Sequence, residues 1–225
     1  GSAYTLMVFL ISILLGLSMG SGTVFSLQYG AGRMKALRRS IYVSAVLIGT
    51  VTIVLNIAAL SFIHPILKLL QIPDDIYQMM YDYLWIIFWG IGFTFIYNFY
   101  AALLRAIGNA VTPLYFLAIS VVLNIGLDLF FILLLDWGIK GAAIATIIAQ
   151  GVSALGIMGY TYAKCPELRL HRNDLHFDRH CLKEITSFST LTCIQQSVMN
   201  LGILMVQGLV NSFGSMVMAA FAAAI

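Results

Sequence analysis

The chain has 225 residues, of which 61% are hydrophobic and 9% charged, with a formal net charge of +3 and a mean hydropathy of +0.96. Soluble domains carry roughly 45–50% apolar and about 25% charged residues, so so few charges cannot cover so much apolar surface in water. The composition specifies an integral membrane protein and excludes a nucleic-acid binder, a disordered tail and a disulfide-stapled secreted module. Three cysteines give no disulfide framework.

A helix crossing a ~30 Å hydrocarbon core needs about 20 apolar residues. In chain order, apolar runs predict spans near 3–29, 40–63, 76–104, 112–135, 141–163 and 184–212, with a partial seventh from 214 onward. Turn chemistry separates them: Gly30-Ala31-Gly32, Ile72-Pro73-Asp74-Asp75, Gly108-Asn109 ahead of Pro113, Trp137-Gly138, and Lys164-Cys165-Pro166. The runs lack the polar–apolar alternation of barrel strands, so the fold class is an all-α polytopic membrane bundle. No proline falls inside a span beyond its first turn, and no proline kink is expected.

Ten of the twelve Lys and Arg residues fall on one side of this arrangement: Arg33, Lys35, Arg38, Arg39, Arg105, Lys164, Arg169, Arg172, Arg179 and Lys183. Lys68 and Lys140 fall on the other. The positive-inside rule makes the first side cytoplasmic, with loops 30–39, 105–112 and 164–183 inside. The 164–183 loop is the longest connection and reads as a solvated basic linker between two halves of a bundle. Its Cys165, His171, His176, His180 and Cys181 match no standard zinc spacing. Both ends lie against or within apolar runs, so the chain reads as part of a longer protein.

Asp128 is the one ionisable residue well inside a predicted span; Asp82 sits near enough to a helix end to reach the interface. Asn124 shares a helical face with Asp128, one turn away. The tight connection from Asp136 to Lys140 predicts antiparallel packing of the fourth and fifth spans. At 1.5 Å per residue this matches Asp128 in depth with Thr146, and Asn124 with Gln150. A carboxylate, an amide and a hydroxyl at one depth can hold a hard cation or, through a desolvated carboxyl, a proton. They can equally serve as polar glue between helices, and the residues alone leave both readings open.

Gly16 and Gly20 form a GxxxG pattern, which favours close helix packing. The sixth span carries Gln195, Gln196, Met199, Asn200, Met205 and Gln207. The third is aromatic, from Trp85 to Tyr100. Flexible methionines and aromatic faces suit a permissive cavity, for which Gln150, Gln196, Met199 and Asn200 are the candidates. An intramembrane enzyme would need a reactive pair at one depth; Asp128 has no His partner within the spans, so no catalytic residue is assigned.

Three stretches carry a resemblance: Ala102-Leu103-Leu104-Arg105-Ala106-Ile107-Gly108-Asn109-Ala110-Val111-Thr112-Pro113; Leu123-Asn124-Ile125-Gly126-Leu127-Asp128 with Gly141-Ala142-Ala143-Ile144-Ala145-Thr146; and Gln207-Gly208-Leu209-Val210-Asn211-Ser212-Phe213-Gly214. Together they resemble the multidrug and toxin extrusion (MATE) family, in particular its bacterial DinF-like members. The resemblance implies a twelve-helix transporter of two lobes in the bacterial cytoplasmic (inner) membrane, exchanging amphipathic or cationic drugs for Na⁺ or H⁺. This chain would run from the family's second helix to the start of its eighth. Residues 1–163 then belong to the amino-terminal lobe, 164–183 to the inter-lobe linker, and 184–225 to the carboxy-terminal lobe.

The family's cation or proton site falls on Asn124, Asp128 and Thr146, completed by a carboxylate on a first helix absent from this sequence. Gln195 and Gln196 stand where some relatives carry an acid. The expected coupling ion is Na⁺ or H⁺, with no cofactor and no other metal. Expected partners are small amphipathic or cationic molecules and the lipid bilayer, not nucleic acid, with the full-length protein a monomer. A lipid-linked oligosaccharide flippase of the same superfamily is the alternative; it should show a cationic cavity, whereas Arg and Lys here fall in loops.

Overall fold

The computed structural model describes residues 2–69, 74–171 and 174–212. These residues form helices and connecting turns, with no strand among them. In order the helices are α1 (Ser2–Gly30), α2 (Met34–Ser61), the short α3 (Ile63–Leu69), α4 (Asp74–Trp89), α5 (Ile91–Ala106), α6 (Val111–Leu129), α7 (Gly138–Lys164) and α8 (Arg179–Ser212). Five stretches are long and apolar enough to cross a membrane: Ile11–Gly30, Met34–Ser61, Tyr77–Ala106, Val111–Leu134 and Gly138–Lys164. The chain is therefore a multi-pass membrane protein. The predicted sixth span is helical as part of α8. The predicted partial seventh span lies outside the described residues.

Helix ends follow the local sequence. At the end of α1, Gly32 takes φ +68°, its N–H donating to Tyr29 O and that of Arg33 to Gln28 O, each at 2.9 Å. Gly108 repeats this at the end of α5 with φ +88°, with bonds from Gly108 N to Arg105 O and from Asn109 N to Leu104 O. Both are Schellman closures, in which glycine supplies the left-handed residue that satisfies the last carbonyls. Asn109 then starts the next helix by accepting the Thr112 N–H on Oδ1 at 3.1 Å, while Pro113 sits in that helix's first turn, where its missing N–H costs nothing. The Leu-Arg-x-x-Gly-Asn stretch is thus a corner that stops one span and starts the next, leaving Arg105 in the final turn of α5 and not in the loop.

The third predicted span is interrupted at Gly90, between α4 and α5, without any proline. Asn56 of α2 donates its amide to Phe88 O, engaging one carbonyl of the helix ladder. α7 packs closely on the other side: a Cβ at Gly90 would stand 3.0 Å from Ile87 O and 3.1 Å from Gln150 Oε1 and Ile147 Cγ1, so a side chain there requires small shifts of its neighbours.

The main core joins α1, α2, α4, α5 and α7 through Phe25, Leu37, Ile48, Phe88, Leu103 and Ile157, all buried. Phe25 meets Phe99 edge-on with centroids 6.0 Å apart. A smaller cluster of Val24, Val43, Cys181 and Ile185 seats the start of α8 against α1 and α2. Further along, α8 lies so close to α1 that a Cβ on Gly16 would fall 2.6 Å from Cys193 Sγ and 2.8 Å from its Cα. One on Gly20 would overlap the Ser189 backbone. The GxxxG pattern therefore serves packing.

The 164–183 connection is exposed along most of its described residues and is anchored to the lobe at a few points. Leu168 and Cys165 are buried in the main core. Arg38 pairs with Asp174 at 3.2 Å and Arg39 with Asp178 at 3.3 Å, tying the connection to the first turns of α2. The His180 backbone N–H, bonded to Asp178 Oδ1 at 2.8 Å, and the Arg39 guanidinium hold the Asp178 carboxyl below the usual carboxylate range. Burial pushes the Cys165 and Cys181 thiols up, so both stay protonated at neutral pH and act as small apolar groups.

Candidate functional site

The polar trio in the membrane is built by the α6–α7 hairpin. The last turn of α6 widens into a π-helical segment, Phe130–Leu134, that begins two residues after Asp128; such segments recur at functional sites. The chain then reverses sharply through Asp136 at φ +53° and Gly138 at φ +52°. Trp137 closes the reversal, its N–H donating to Phe131 O at 3.0 Å and its ring stacked on Phe131 at 5.1 Å with an interplanar angle of 2°. A Cβ on Gly141 would lie 2.9 Å from Phe131 Cβ, so glycine there permits α7 to return this closely. At the same end, Lys140 Nζ meets Asp82 Oδ2 at 2.8 Å, and Gln78 donates to Asp82 Oδ1 at 3.1 Å. Asp82 is thus an ion-paired clasp between α4 and α7, not merely a solvated helix-end acid.

Within the hairpin, Asn124 Nδ2 donates to Thr146 Oγ1 at 3.3 Å, and Thr146 Oγ1 donates back to Ala142 O at 2.9 Å. The hydroxyl proton is thereby directed into the helix, and a hydroxyl lone pair faces Asn124. The amide's hydrogens point to α7, which leaves Asn124 Oδ1 as an uncommitted acceptor. One turn further along α6, Asp128 Oδ1 is buried with no hydrogen-bond partner. Buried polar atoms are nearly always paired, and an unpaired carboxylate oxygen among apolar helices is costly. Asn124, bonded to Thr146, and Asp128, with one carboxylate oxygen unclaimed, thus lie one turn apart on α6, chemistry suited to a bare monovalent cation or a proton.

The predicted depth matches of Asp128 with Thr146 and of Asn124 with Gln150 are both off by one helical turn, since Thr146 meets Asn124. Gln150 instead lies 3.5 Å from Thr94 Oγ1, in a cavity of about 180 Å³ between α5, α6 and α7 lined also by Phe93, Tyr97, Asn98 and Ser153. The other three cavity candidates lie elsewhere. Gln196 donates to Met19 Sδ at 3.7 Å and Asn200 bonds Ser12 Oγ, both at the α1–α8 contact, while Met199 is exposed. The structure brings Asn124 and Thr146 together and disperses Gln150, Gln196, Met199 and Asn200. One residue that the sequence reading passed over also matters: Asn56, whose amide reaches Phe88 O at the break in the third span. An uncharged amide in an apolar run was the available signal for Asn56.

The fold and this hairpin define a polytopic helical membrane protein with a polar site between spans. The family model described as MatE matches residues 1–130, a stretch that includes Asn124 and Asp128 and stops short of Thr146; the chain belongs to the MatE family. Among curated relatives it is 32% identical over 220 residues to the probable multidrug resistance protein YpnP of Bacillus subtilis, covering 97% of this chain and 49% of the relative. To YoeA of the same organism, also a probable multidrug resistance protein, it is 28% identical, covering 98% and 49%. Among solved structures, the Vibrio cholerae MATE transporter VcmN in its bent form superposes with a TM-score of 0.84 at 26% identity, covering 99% of this chain and 50% of that one. The chain spans about half the length of the curated relatives it matches.

Proposed function

We propose that the full-length protein exports small amphipathic or cationic compounds across the bacterial cytoplasmic membrane, coupled to entry of Na⁺ or H⁺ at Asn124, Asp128 and Thr146. The observation that carries this reading is the unpartnered, buried Asp128 oxygen beside the Asn124–Thr146 hydrogen bond. Membership of the MatE family and relatives named as probable multidrug resistance proteins support it. The 1–163 segment acts as one lobe, and the pinned 164–183 connection carries α8 into the other. Ion binding at Asp128 favours whichever of the inward- and outward-open states holds it more tightly, since a ligand shifts an equilibrium only through its differential affinity. Substrate then competes with the ion through those linked states.

The test uses full-length protein in vesicles, following extrusion of a fluorescent cationic dye under an imposed Na⁺ or H⁺ gradient. Asp128→Asn keeps size and expression but removes the charge, and gradient-driven extrusion falls at least about tenfold, a loss of about 1.4 kcal/mol or more in the coupling step. The gradient that drives the wild type identifies the ion. Undiminished extrusion by Asp128→Asn overturns the site assignment. Absence of extrusion by well-expressed wild type, with transfer of a lipid-linked substrate instead, overturns the drug-export reading in favour of the flippase.

A further inference from the structure

The basic, cytoplasmic end of the bundle holds a pocket that takes no part in the α6–α7 site. It lies where α2, α5, α7 and the start of the 164–183 connection meet, and its volume is about 260 Å³. That is just under the roughly 300–1,000 Å³ of drug-sized sites and suits one end of an extended molecule. Its floor is apolar: Ile41, Leu103 and Leu168 are buried, and the Thr161 hydroxyl is turned into its own helix, donating to Ile157 O at 2.8 Å. The rim is different. Tyr162, Arg169 and Leu170 form it, and all three are exposed.

Local sequence explains why Arg169 stands there. Along α7 the carbonyl of Tyr162 would accept the N–H of residue 166, but that residue is Pro166, which has none. A 3₁₀ turn, Pro166–Leu168, folds the chain back, and Arg169 Nε donates to the orphaned Tyr162 O at 2.8 Å. A cation is favourably placed at a helix C-terminus. The guanidinium also lies over the Tyr162 ring, its carbon 4.8 Å from the centroid, a contact that orients its plane. Held at Nε and by its face, the group keeps both terminal nitrogens free, since among the described residues no carboxylate pairs with it. Arg38 and Arg39 at the same end are already matched with Asp174 and Asp178.

The free edge of a guanidinium is a planar fork matched to phosphate or carboxylate oxygens. Here it sits beside an apolar floor and two residues from the end of α7 at Lys164, where a tyrosine such as Tyr162 marks the membrane–water boundary. Phosphate is the anion that a bilayer presents at that depth, and basic pockets between helices on the cytoplasmic side take anionic lipid head groups. We propose that this pocket binds an anionic phospholipid of the cytoplasmic leaflet, its phosphate on the terminal nitrogens of Arg169 and its glycerol backbone against Leu168 and Leu170. Because Arg169 belongs to the connection and Tyr162 to α7, a bound lipid fastens the start of the connection to the end of that helix. Such a site stands whether or not the export reading does.

The test follows binding of dioleoyl phosphatidylglycerol, which is anionic, and of dioleoyl phosphatidylcholine, which is net neutral, to detergent-solubilised full-length protein by native mass spectrometry. Thermal unfolding without added lipid checks the fold of each variant. Loss of a charge-assisted bond weakens phosphatidylglycerol binding about tenfold in Arg169→Gln and shifts phosphatidylcholine less than about twofold. Lys35→Gln removes the same charge from an exposed side chain at the same end and leaves both lipids within about twofold. Leu170→Asp keeps the Arg169 anchor and sets a carboxylate at the rim, so it weakens phosphatidylglycerol binding even where Arg169→Gln unsettles the connection. Undiminished binding in both rim variants, an equal loss in Lys35→Gln, or equal wild-type affinity for the two lipids overturns the proposal. Glycerol 1-phosphate and inorganic phosphate separate a lipid from a soluble phosphate: each raises the melting temperature far less than phosphatidylglycerol at the same concentration, and equal protection overturns the lipid assignment.

Discussion

Two close helix pairings among the described residues treat polar groups in a membrane differently. Along α1–α8, glycines bring the backbones together and some polar side chains bond the opposing helix, Ser189 Oγ donating to Leu17 O at 3.3 Å and Asn200 reaching Ser12, although the small hydroxyls of Ser18 and Ser21 on α1 are buried without a partner. Along α6–α7, one such bond is made, Asn124 to Thr146, and the carboxylate beside it is left without a partner. α6 is also the span least covered by its neighbours, with Pro113 its buried residue among those described. The first pairing bonds neutral polar groups across the helices; the second leaves unbonded a carboxylate oxygen, the one we propose for the coupling ion.

The largest expected effect breaks the first pairing. In Gly20→Leu the new side chain meets the Ser189 backbone, which cannot swing aside as a side-chain tip could. We expect a cost of about 3 kcal/mol or more, read as a steep fall in melting temperature and monodispersity of the detergent-solubilised full-length protein. The counterpart on α6 is Gly126→Ala, where a Cβ meets nothing within 4 Å. Stability there changes by less than about 0.5 kcal/mol, or rises with helix propensity. A large loss in Gly126→Ala would mean that a further helix of the longer protein closes over α6 at that point.

Much of this contrast was legible before any coordinates. The charge-free runs located the spans because length and apolarity are local properties, and the tight Asp136–Lys140 connection implied the antiparallel hairpin that joins Asn124 to Thr146. What counting missed was register. α7 begins at Gly138 and not near 141, which carries Thr146 about 4.5 Å deeper, so it meets Asn124 and Gln150 is passed on toward Thr94. The break at Gly90 was hidden for a different reason: the groups beside it, Asn56 and Gln150, come from two other helices, and a single helix's sequence does not record its neighbours. Arg105 was read as a loop residue because the closing glycine, Gly108, lies three positions further on and not beside it.

A smaller, paired effect sharpens the same comparison. Thr146→Val keeps the shape of α7 but removes the acceptor of the Asn124 amide, and Ser189→Ala removes a donor from the α1–α8 contact. Thr146→Val deletes two hydrogen bonds, from Asn124 and to Ala142 O, and Ser189→Ala one; at about 1 kcal/mol each, Thr146→Val should be the more destabilising by about 1 kcal/mol. Their functional consequences diverge: Thr146→Val weakens the gradient dependence of dye extrusion several-fold, while Ser189→Ala leaves it unchanged. Equal loss of coupling in both variants would remove the functional distinction between the two pairings.

The smallest effect concerns the linker that connects the two pairings. The Asp178 carboxyl is held below its usual range by the His180 backbone N–H and by Arg39. A depressed carboxylate contributes its stabilisation fully above its unfolded pKa, near 3.9, and loses it as pH falls through the lower folded value. Hydrogen exchange in residues 174–183 should therefore be flat across neutral pH, after correction for intrinsic rates, and lose protection only below about pH 4. In Asp178→Asn, which cannot titrate, the contribution of this group to that acid-induced loss disappears while the Arg38–Asp174 pair remains. Because the group is solvent-accessible, salt should reduce its contribution from Arg39 and leave the backbone bond from His180 in place. The linker would then loosen at its α2 end while keeping its turn into α8, a separation that ion pairing alone could not produce.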